Sequence, residues 1–324
     1  MKKADITKVS EVTREDVKWL WYPYIPYGKI TILQGDPGDG KTTFILAVAS
    51  LLTTGQPLPG CEGRTAPVNV IYQTAEDGIG DTIKPRLEAT GADCERVLVI
   101  NENGQALSLS DSRLEEAIVH TKAGLLVLDP LQAYIGGKVD MHRANEVRPA
   151  FKQLAAVAER TGCAIVAIGH MNKMSGVKGI YRGLGSIDIA AVARSVLVVG
   201  RDKENANIRI MAHLKSSLAP EGQAIAFELG TDSGFRWIGP YDVTPDELLN
   251  GFPFLDDRPG KLAQAEALIV ELLQSGPLPY ADLYERLAAQ NIGRRTAESA
   301  KKLMGVQSFK KGAQWYWTLD GPAE

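Results

Sequence analysis

The chain has 324 residues, of which 44% are apolar and 23% are charged, and its formal net charge is −3. This composition supplies a core for one large domain and one small one, and it excludes a disordered chain or a uniformly basic nucleic-acid-binding surface. The three cysteines, Cys61, Cys94 and Cys163, are far apart, which argues against a disulfide framework or a zinc site and favours a reducing cytoplasm. No apolar run is long enough to span a bilayer, and no apolar signal core follows Lys2 and Lys3, so we expect neither membrane insertion nor secretion.

Residues 28 to 200 alternate short β-rich runs with amphipathic helical stretches. This alternation predicts an α/β fold in which a mostly parallel sheet carries helices on both faces. The predicted strands are Lys29–Leu33, Val68–Gln73, Arg96–Ile100, Leu125–Asp129, Cys163–His170 and Ser195–Gly200. The predicted helices are Thr42–Leu52, Asp81–Ala89, Ser110–His120 and Glu146–Arg160. Three later runs predict antiparallel strands that finish the sheet, namely Asn207–Leu214, Ala224–Leu229 and Phe235–Ile238.

Between the first predicted strand and the first helix, Gly35–Thr42 fills every fixed position of G-x-x-x-x-G-K-[ST], a loop that surrounds nucleotide phosphates. Its glycines let successive N–H groups point at the phosphates, and the helix that follows adds its positive end. Lys41 is expected to neutralise phosphate charge, and the Thr42 hydroxyl to bind Mg²⁺. The sequence therefore predicts ATP or GTP binding by Gly35, Asp36, Pro37, Gly38, Asp39, Gly40, Lys41, Thr42 and Thr43.

Hydrolysis also requires an acid that holds the metal and a group that activates water. The apolar run Leu125–Asp129 ends in an acid at the sheet edge where α/β proteins bind ligands, so Asp129 is predicted to hold Mg²⁺. Because Pro130 follows Asp129, the general base must come from another strand, and Glu76 is placed to polarise the attacking water. A structural alternative is that Glu76 or Asp77 is simply the acid at a helix N-terminus.

His170 ends the next apolar strand at the same edge, where it could hydrogen-bond to the γ-phosphate, although a lone histidine there is usually structural. A basic, glycine-rich stretch follows it. This stretch predicts contact with a DNA phosphate backbone through Lys173, Lys178 and Arg182, and an ordinary surface loop is the alternative.

Prolines and glycines cluster between residues 241 and 260 and predict a linker. The linker would divide a nucleotide-binding domain at residues 1–240 from a small domain at residues 261–324. In the small domain, helices are predicted at residues 262–273, Asp282–Ala289 and Thr296–Met304, and a hairpin at Gln307–Leu319. This order predicts a winged helix-turn-helix domain.

The third helix and the hairpin of this small domain are basic, with six basic residues and one acid, Glu298, between residues 294 and 311. The excess is compatible with duplex DNA as a partner and equally with a replication protein as a partner or a merely solvated helix face. The basic residues are Arg294, Arg295, Lys301, Lys302, Lys310 and Lys311.

In chain order, the phosphate loop, Glu76, Asp129 without a following acid, and His170 resemble the RecA/DnaB superfamily of ring-forming motor ATPases. The resemblance is strongest to the hexameric RepA-type helicases of plasmids and mobile elements, and it covers residues 20–240 as a RecA-like motor domain. It implies that Lys41 and Thr42 bind phosphate and Mg²⁺. It also implies a catalytic role for Glu76, Mg²⁺ binding by Asp129 and a phosphate sensor at His170.

The same resemblance concerns four further basic residues. It implies that Arg194 is an arginine finger that reaches the ATP of the neighbouring subunit, with Arg201 and Arg209 as alternatives for that role. Lys215 aligns with a second basic group at the subunit interface.

The resemblance implies a ring of six copies with ATP between neighbours and single-stranded DNA in the channel. The loop from Lys173 to Arg182, and a second loop containing Lys138, His142 and Arg143, would grip the DNA. The chain would then be an ATP-dependent 5′-to-3′ DNA helicase or translocase in plasmid, phage or mobile-element replication. A recombination-type filament or loader, and an ATP-gated DNA-binding regulator, remain open as alternatives.

An aromatic cluster precedes the first predicted strand. Its rings could stack on adenine, but packing against that strand is the favoured interpretation, because buried aromatic side chains mostly serve cores. The cluster comprises Trp19, Trp21, Tyr22, Tyr24 and Tyr27.

Overall fold

The computed structural model describes residues 6–136, 144–171, 191–202, 205–230, 234–250, 261–274, 276–290, 292–312 and 314–319. The chain forms two compact units, Met1–Gly251 and Phe252–Glu324. Their boundary lies in the interval 241–260, for which the sequence predicts a linker. None of the helices within the described ranges is both long and apolar enough to cross a bilayer.

The described part of the first unit contains eleven strands. They are β1 (Trp19–Trp21), β2 (Ile25–Pro26), β3 (Ile30–Gly35), β4 (Asn69–Thr74), β5 (Val97–Leu98), β6 (Ala123–Asp129), β7 (Ala164–His170), β8 (Ser195–Arg201), β9 (Ile208–Ser216), β10 (Ala224–Gly230) and β11 (Gly234–Tyr241). The helices are α1 (Lys41–Thr54), α2 (Lys84–Ala89), α3 (Ser112–Thr121), α4 (Leu131–Tyr134), α5 (Ala144–Thr161) and α6 (Pro245–Asn250). Shorter 3₁₀ or π turns lie at Val9–Glu11, Ile79–Ile83 and Cys94–Arg96.

Nine of these strands form one sheet in the order β11-β10-β9-β8-β3-β7-β6-β4-β5. The strands from β8 to β5 in this order run parallel, whereas β9, β10 and β11 continue the sheet in antiparallel pairs. The predicted α/β sheet with an antiparallel extension is therefore confirmed. Because β3 lies near the middle, the loop that follows it emerges at the centre of the carboxyl edge.

Helix α1 is buried on nearly all sides against one face of the sheet. Phe44, Ile45, Leu46 and Val48 are each 0% exposed, and they share a core with Leu33 of β3. A helix that is apolar all round is stable only when it is covered all round. The start of α1, which carries Lys41 and Thr42, is thus fixed rigidly to the sheet. The other face is covered by α3 and α5, whose core includes Phe151.

Two residues of the aromatic cluster before β3, Trp21 and Tyr24, are buried in the core, whereas Tyr22 is 55% exposed. Trp21 is 1% exposed and packs against Tyr24, Phe44 of α1 and Trp237 of β11, with ring centroids 4.7, 6.1 and 6.4 Å away. The hydroxyl of Tyr24 donates to the carbonyl of Gln223 at 2.6 Å. These two rings therefore pack on the helix and the antiparallel strands rather than only on the first strand.

Helix α6 lies inside the interval in which the sequence predicts a linker. It starts with reciprocal bonds: Thr244 N donates to Glu247 Oε2 at 2.8 Å, and Glu247 N donates to Thr244 Oγ1 at 3.2 Å. This is a capping box, which the pattern Thr-x-x-Glu in the sequence could have revealed. Leu248 packs so closely on Gly200 of β8 that a Cβ atom there would lie 3.0 Å from its side chain.

The second unit contains the helices α7 (Lys261–Leu273), α8 (Tyr280–Ala289) and α9 (Arg294–Met304), and the strands β12 (Leu278–Pro279), β13 (Gln307–Lys311) and β14 (Gln314–Thr318). The strands form an antiparallel sheet in the order β12-β14-β13. Its core includes Ile269, Leu283, Leu287 and Trp317. The predicted helices and hairpin are present, and β12 is an addition. The assignment of this unit to the winged-helix class stays a prediction.

Candidate phosphate-binding site

The phosphate loop connects β3 to α1 and is shaped by three glycines. Gly38 has φ +80° and Gly40 has φ +92°, which are left-handed conformations that side chains disfavour. At Gly35, a Cβ atom would lie 2.3 Å from the carbonyl oxygen of Val199 on the neighbouring strand β8. The glycine pattern predicted from the sequence therefore meets a steric requirement at each of these positions.

Lys41 folds back over the loop. Its ammonium donates to the carbonyl oxygens of Gly35 and Asp36, both at 2.9 Å, and the residue is 5% exposed. Burial lowers the pKa of Lys41, and the nearby carboxylates of Asp39 and Asp129 partly oppose this effect. The ammonium is thus held inside the loop, where it can exchange these carbonyls for phosphate oxygens.

Asp129 and Thr42 meet although they lie 87 residues apart in the chain. The Thr42 hydroxyl donates to Asp129 Oδ2 at 2.8 Å, and the Tyr72 hydroxyl donates to the same oxygen at 2.6 Å. A threonine hydroxyl beside a carboxylate is an oxygen donor set that Mg²⁺ prefers, so these residues fit that ion. Tyr72 is a member of the site that the sequence analysis missed, because a tyrosine in an apolar strand looks like a core residue.

The order of the strands brings Glu76 and His170 to the same edge. Strand β7 lies between β3 and β6, and His170 is level with Gly35 in the register. Thr74, two residues before Glu76, is level with Asp129. His170 Nε2 lies 3.9 Å from Glu76 Oε2, and the Glu76 side chain is 65% exposed. Glu76 can therefore contact water.

These groups enclose a cavity of about 330 Å³. The phosphate-loop residues Gly38, Gly40, Lys41, Thr42 and Thr43 form one side of it, and Glu76, Asp129 and His170 form the other. Asp77, Arg86 and Leu229 also line it, and Arg86 Nη1 donates to Asp77 Oδ2 at 3.4 Å. Arg86 and Leu229 were not predicted from the sequence, since they come from α2 and β10 and only the fold brings them here.

Two of the three arginines considered for the interface role lie behind the phosphate loop of their own chain. Arg201 Nε donates to Asp39 Oδ1 at 3.1 Å, and Arg201 Nη2 donates to the Gly38 carbonyl at 2.9 Å. Arg209 is paired with Arg201 across β8 and β9 and is 8% exposed. Both arginines are therefore close to the loop that precedes α1.

Arg194 and Lys215 lie together at the opposite edge of the sheet. Arg194 directly precedes β8, which runs parallel to β3, so the length of a seven-residue strand, about 20 Å, separates it from the edge that carries the phosphate loop. Lys215 Nζ donates to the carbonyl of Ala193 at 2.9 Å. Burial lowers the pKa of Lys215, and the charge of Arg194 adds to this effect. This basic pair therefore lies at the sheet edge that is remote from the phosphate loop of its own subunit.

The residues predicted to grip single-stranded DNA, Lys173, Lys178 and Arg182, lie outside the described residues, as do Lys138, His142 and Arg143. In the second unit, two of the predicted basic residues contact aromatic rings. The guanidinium carbon of Arg294 lies 5.5 Å from the Tyr284 ring centroid, and Lys301 Nζ lies 4.7 Å from that of Trp317.

The remaining basic residues of the second unit differ in exposure. Lys302, Lys310 and Lys311 are exposed, and Lys301 also donates to Ser308 Oγ at 2.7 Å. Arg295 lies in α9, and only its backbone is described. The charges of these three lysines therefore face solvent, as does that of the exposed Arg294.

The AAA domain family matches residues 2–176. The DNA repair protein RadA of Halalkalibacterium halodurans is 23% identical over 238 residues, which cover 73% of this chain and 44% of that protein. The RadA of Mycobacterium tuberculosis is 26% identical over 253 residues, covering 78% and 46%. That of Streptococcus pneumoniae is 22% identical over 258 residues, covering 78% and 55%.

The chain thus spans about half the length of the curated relatives it matches. The family match contains the complete phosphate loop, Glu76, Asp129 and His170. Since the match covers more than half of the chain, the protein belongs to the AAA domain family, and its core is that of a RecA-like P-loop ATPase.

Proposed function

We propose that this protein is an ATP-driven motor that moves along single-stranded DNA, of the ring-forming type found in replicative helicases of plasmids and mobile elements. The observation that supports a multi-subunit motor is the separation of two sets of residues. Lys41, Thr42, Asp129 and Glu76 share one edge of the sheet, and Arg194 lies at the other. A neighbouring subunit can complete each site if it presents its opposite edge.

Within one subunit, the phosphate loop and Lys41 bind the triphosphate. The Glu76 carboxylate accepts a proton from the attacking water, for which its exposed position is suitable. Mg²⁺, held through Thr42 and Asp129, would spread the negative charge that develops on the phosphates. These residues stabilise negative charge or accept a proton. Phosphoryl transfer is generally catalysed by such electrostatic stabilisation and positioning.

His170 is suited to report the state of the γ-phosphate. Its Nε2 faces Glu76, and it stands at the end of β7, one residue before Met171 and the segment that carries Lys173 to Arg182. A hydrogen bond to phosphate at this point would shift the start of that segment. We infer that hydrolysis is transmitted in this way to the residues that hold DNA.

Arg194 would be supplied to the neighbouring ATP. An arginine finger generally accelerates phosphoryl transfer by about 10³–10⁵-fold. Mixing Lys41→Ala subunits with Arg194→Ala subunits tests this, because a fraction of the mixed interfaces would contain an intact loop and an intact arginine. Activity should recover on mixing, and no recovery at any ratio would contradict the assignment.

A repair or recombination ATPase is a second candidate. It is favoured by the relatives, which are named DNA repair proteins. The two candidates differ in strand displacement on a forked duplex, which only the helicase performs. They also differ in the assembly formed with an ATP analogue and single-stranded DNA, which electron microscopy would show as rings or as filaments.

The first test for either candidate is ATP hydrolysis by purified wild-type protein with and without single-stranded DNA. We expect stimulation by single-stranded DNA, and Lys41→Ala provides the inactive control. Turnover that no form of DNA changes would contradict both candidates and would favour a function in which ATP acts without a DNA track.

A further inference from the structure

Asp39 places a carboxylate inside the phosphate loop, two residues before Lys41. Its side chain folds back on the loop, where Oδ2 accepts a hydrogen bond from the Asp36 N–H at 3.0 Å and Oδ1 accepts one from Arg201 at 3.1 Å. Only 12% of the Asp39 side chain is exposed. The loop therefore contains a largely buried acid that two hydrogen bonds hold in place.

Such an acid is unfavourable beside a triphosphate. Like charges repel, and the repulsion is stronger where burial excludes water. Burial raises the pKa of Asp39, and its bond to Arg201 opposes that rise. The guanidinium of Arg201 thus compensates a negative charge that would otherwise compete with the ligand.

Arg201 also restrains the shape of the loop. Its Nη2 donates to the Gly38 carbonyl at 2.9 Å while its Nε holds Asp39, so one side chain bonds two consecutive loop residues. It reaches them from the end of β8, at a distance of 162 residues along the chain from Asp39. A planar guanidinium that forms two bonds fixes orientation better than a single contact does.

Arg209 adds a second positive charge to this arrangement. It lies opposite Arg201 in the register of β8 and β9, and its Cγ is 3.8 Å from the position that a Cβ atom of Gly40 would occupy. Burial lowers the pKa of Arg209, and the neighbouring Arg201 contributes to this. The two guanidinium groups therefore balance the carboxylates of Asp39 and Asp36, which is also close enough to act on Asp39.

We propose that Arg201 is a positioning residue for the nucleotide of its own subunit: by pairing with Asp39, it cancels the negative charge within the phosphate loop and holds the loop in the shape that accepts a triphosphate. This proposal rests on the proposed binding of ATP. It assigns Arg201 to its own subunit, in contrast to a role as an arginine finger for the neighbouring one.

A set of charge-neutralising variants tests this role. The dissociation constant of ATP, measured by displacement of a fluorescent ATP analogue, is compared for wild type, Arg201→Gln, Asp39→Asn and the double variant. Arg201→Gln should weaken binding about tenfold or more, because the Asp39 carboxylate, whose charge acts on Lys41, is then uncompensated within the loop. Asp39→Asn should tighten ATP binding, because it leaves the positive charge of Arg201 unopposed beside the loop, and the double variant should return to within about threefold of wild type.

Arg160→Gln is the matched control. Arg160 forms an ion pair with Glu115 at 2.7 Å on the far side of the sheet from α1, so its loss removes the same charge without touching the loop. Binding by this variant should equal that of wild type. Thermal unfolding of each variant, together with separate kcat and KM values, shows whether a loss reflects folding, binding or turnover.

The outcomes are distinguishable. Double-variant binding as weak as that of Arg201→Gln would overturn the proposal, as would normal ATP binding with a lowered kcat in Arg201→Gln. Wild-type protein that fails to bind ATP would instead overturn the proposed function and this proposal with it.

Subunit mixing provides an independent measurement. Lys41→Ala and Arg201→Gln subunits should not restore each other, because each variant damages the loop of its own chain. Recovery on mixing would show that Arg201 acts across an interface, and the proposal would then be wrong.

Discussion

The phenol of Tyr72 donates a hydrogen bond of 2.6 Å to the carboxylate of Asp129, between the neighbouring strands β4 and β6. Burial, reinforced by the charge of Asp129, raises the pKa of Tyr72 well above its usual value. The phenol therefore stays protonated and remains a donor at any working pH. Since Thr42 donates to the same oxygen, the carboxylate is fixed from two sides.

Tyr72→Phe should lower the affinity of the site for Mg²⁺ without leaving a cavity in the core. Loss of a hydrogen bond that orients a ligand typically lowers metal affinity 10–100-fold, so we expect the Mg²⁺ concentration for half-maximal ATP hydrolysis to rise by about tenfold. Tyr134→Phe is the control, because Tyr134 is also buried, and its hydroxyl has no hydrogen-bond partner among the described residues. An equal rise in both variants would contradict the proposed role of Tyr72.

Gly40→Ala should abolish nucleotide binding. An added Cβ would lie 2.5 Å from Leu229 Cδ1, and φ is +92°. Gly60→Ala is a matched control, because Gly60 also has a positive φ, +78°, but a Cβ there meets nothing within 4 Å. Backbone strain should lower the free energy of unfolding of both variants by about 1 kcal/mol, measured by urea unfolding. Only Gly40→Ala should lose the ability to bind ATP. Normal ATP binding by Gly40→Ala would show that the loop can move away from Leu229.

Glu76→Gln should bind ATP but lose turnover. Removal of a general base usually costs about 10²–10⁴-fold in rate, and the exposed side chain contributes little to stability. Asp77→Asn, which removes the adjacent acid that pairs with Arg86, should retain most of the turnover. Single-turnover hydrolysis and analogue binding measure the two effects separately. Wild-type turnover in Glu76→Gln would assign the base to another residue.

The geometry of the site could be predicted from the sequence wherever strand direction alone determined it. Glu76, Asp129 and His170 each follow or end a parallel strand, so all three had to reach the carboxyl edge. The same rule distinguishes Arg194, at the start of β8, from Arg201, at its end. Burial patterns could not reveal the role of Tyr72, because a buried tyrosine in an apolar strand is typical of a core.

Contacts between segments that are distant in the chain could not be predicted from the sequence. The pair Asp39–Arg201 joins residues 162 positions apart, and it depends on β8 being the neighbour of β3, which no local pattern encodes. Strand β12 was missed because it has two residues and one of them is proline. Helix α6 was not predicted, because the prolines and glycines around it are typical of a linker and its capping box was not recognised.

His213 should make stability depend on pH. Its Nδ1 accepts the N–H of Gly222 at 3.0 Å, and its Nε2 lies 3.0 Å from Ser195 Oγ. Burial lowers the pKa of His213 to about 4 from 6.5. His213 therefore binds a proton more tightly in the unfolded chain than in the folded one. Its contribution to the free energy of unfolding is fully present above about pH 6.5, and up to about 3 kcal/mol is lost as the pH falls toward 4.

Urea unfolding between pH 4.5 and 7.5 measures this dependence. His213→Gln should be less stable than wild type at pH 7, and its stability should fall less steeply below pH 6.5. Identical slopes in the two proteins would show that other groups account for the pH dependence.

The exposed lysines of the second unit should account for its binding to duplex DNA, if that is its partner. Replacing Lys302, Lys310 and Lys311 by Gln should reduce the slope of log affinity against log salt by about 2–3. Lys301→Gln should instead lower thermal stability, because its ammonium covers the Trp317 ring. Fluorescence anisotropy on the full chain measures the salt slope. An unchanged slope in the triple variant would favour a protein partner.

The placement of Arg194 and the phosphate loop at opposite ends of the sheet also sets a stoichiometry. If each subunit gives its arginine to one neighbour and receives one from the other, a closed assembly of n copies holds n complete sites. An open assembly of the same n copies holds one fewer, because its terminal loop receives no arginine. Turnover per subunit would then rise when the assembly closes, so that closure on DNA could itself start hydrolysis.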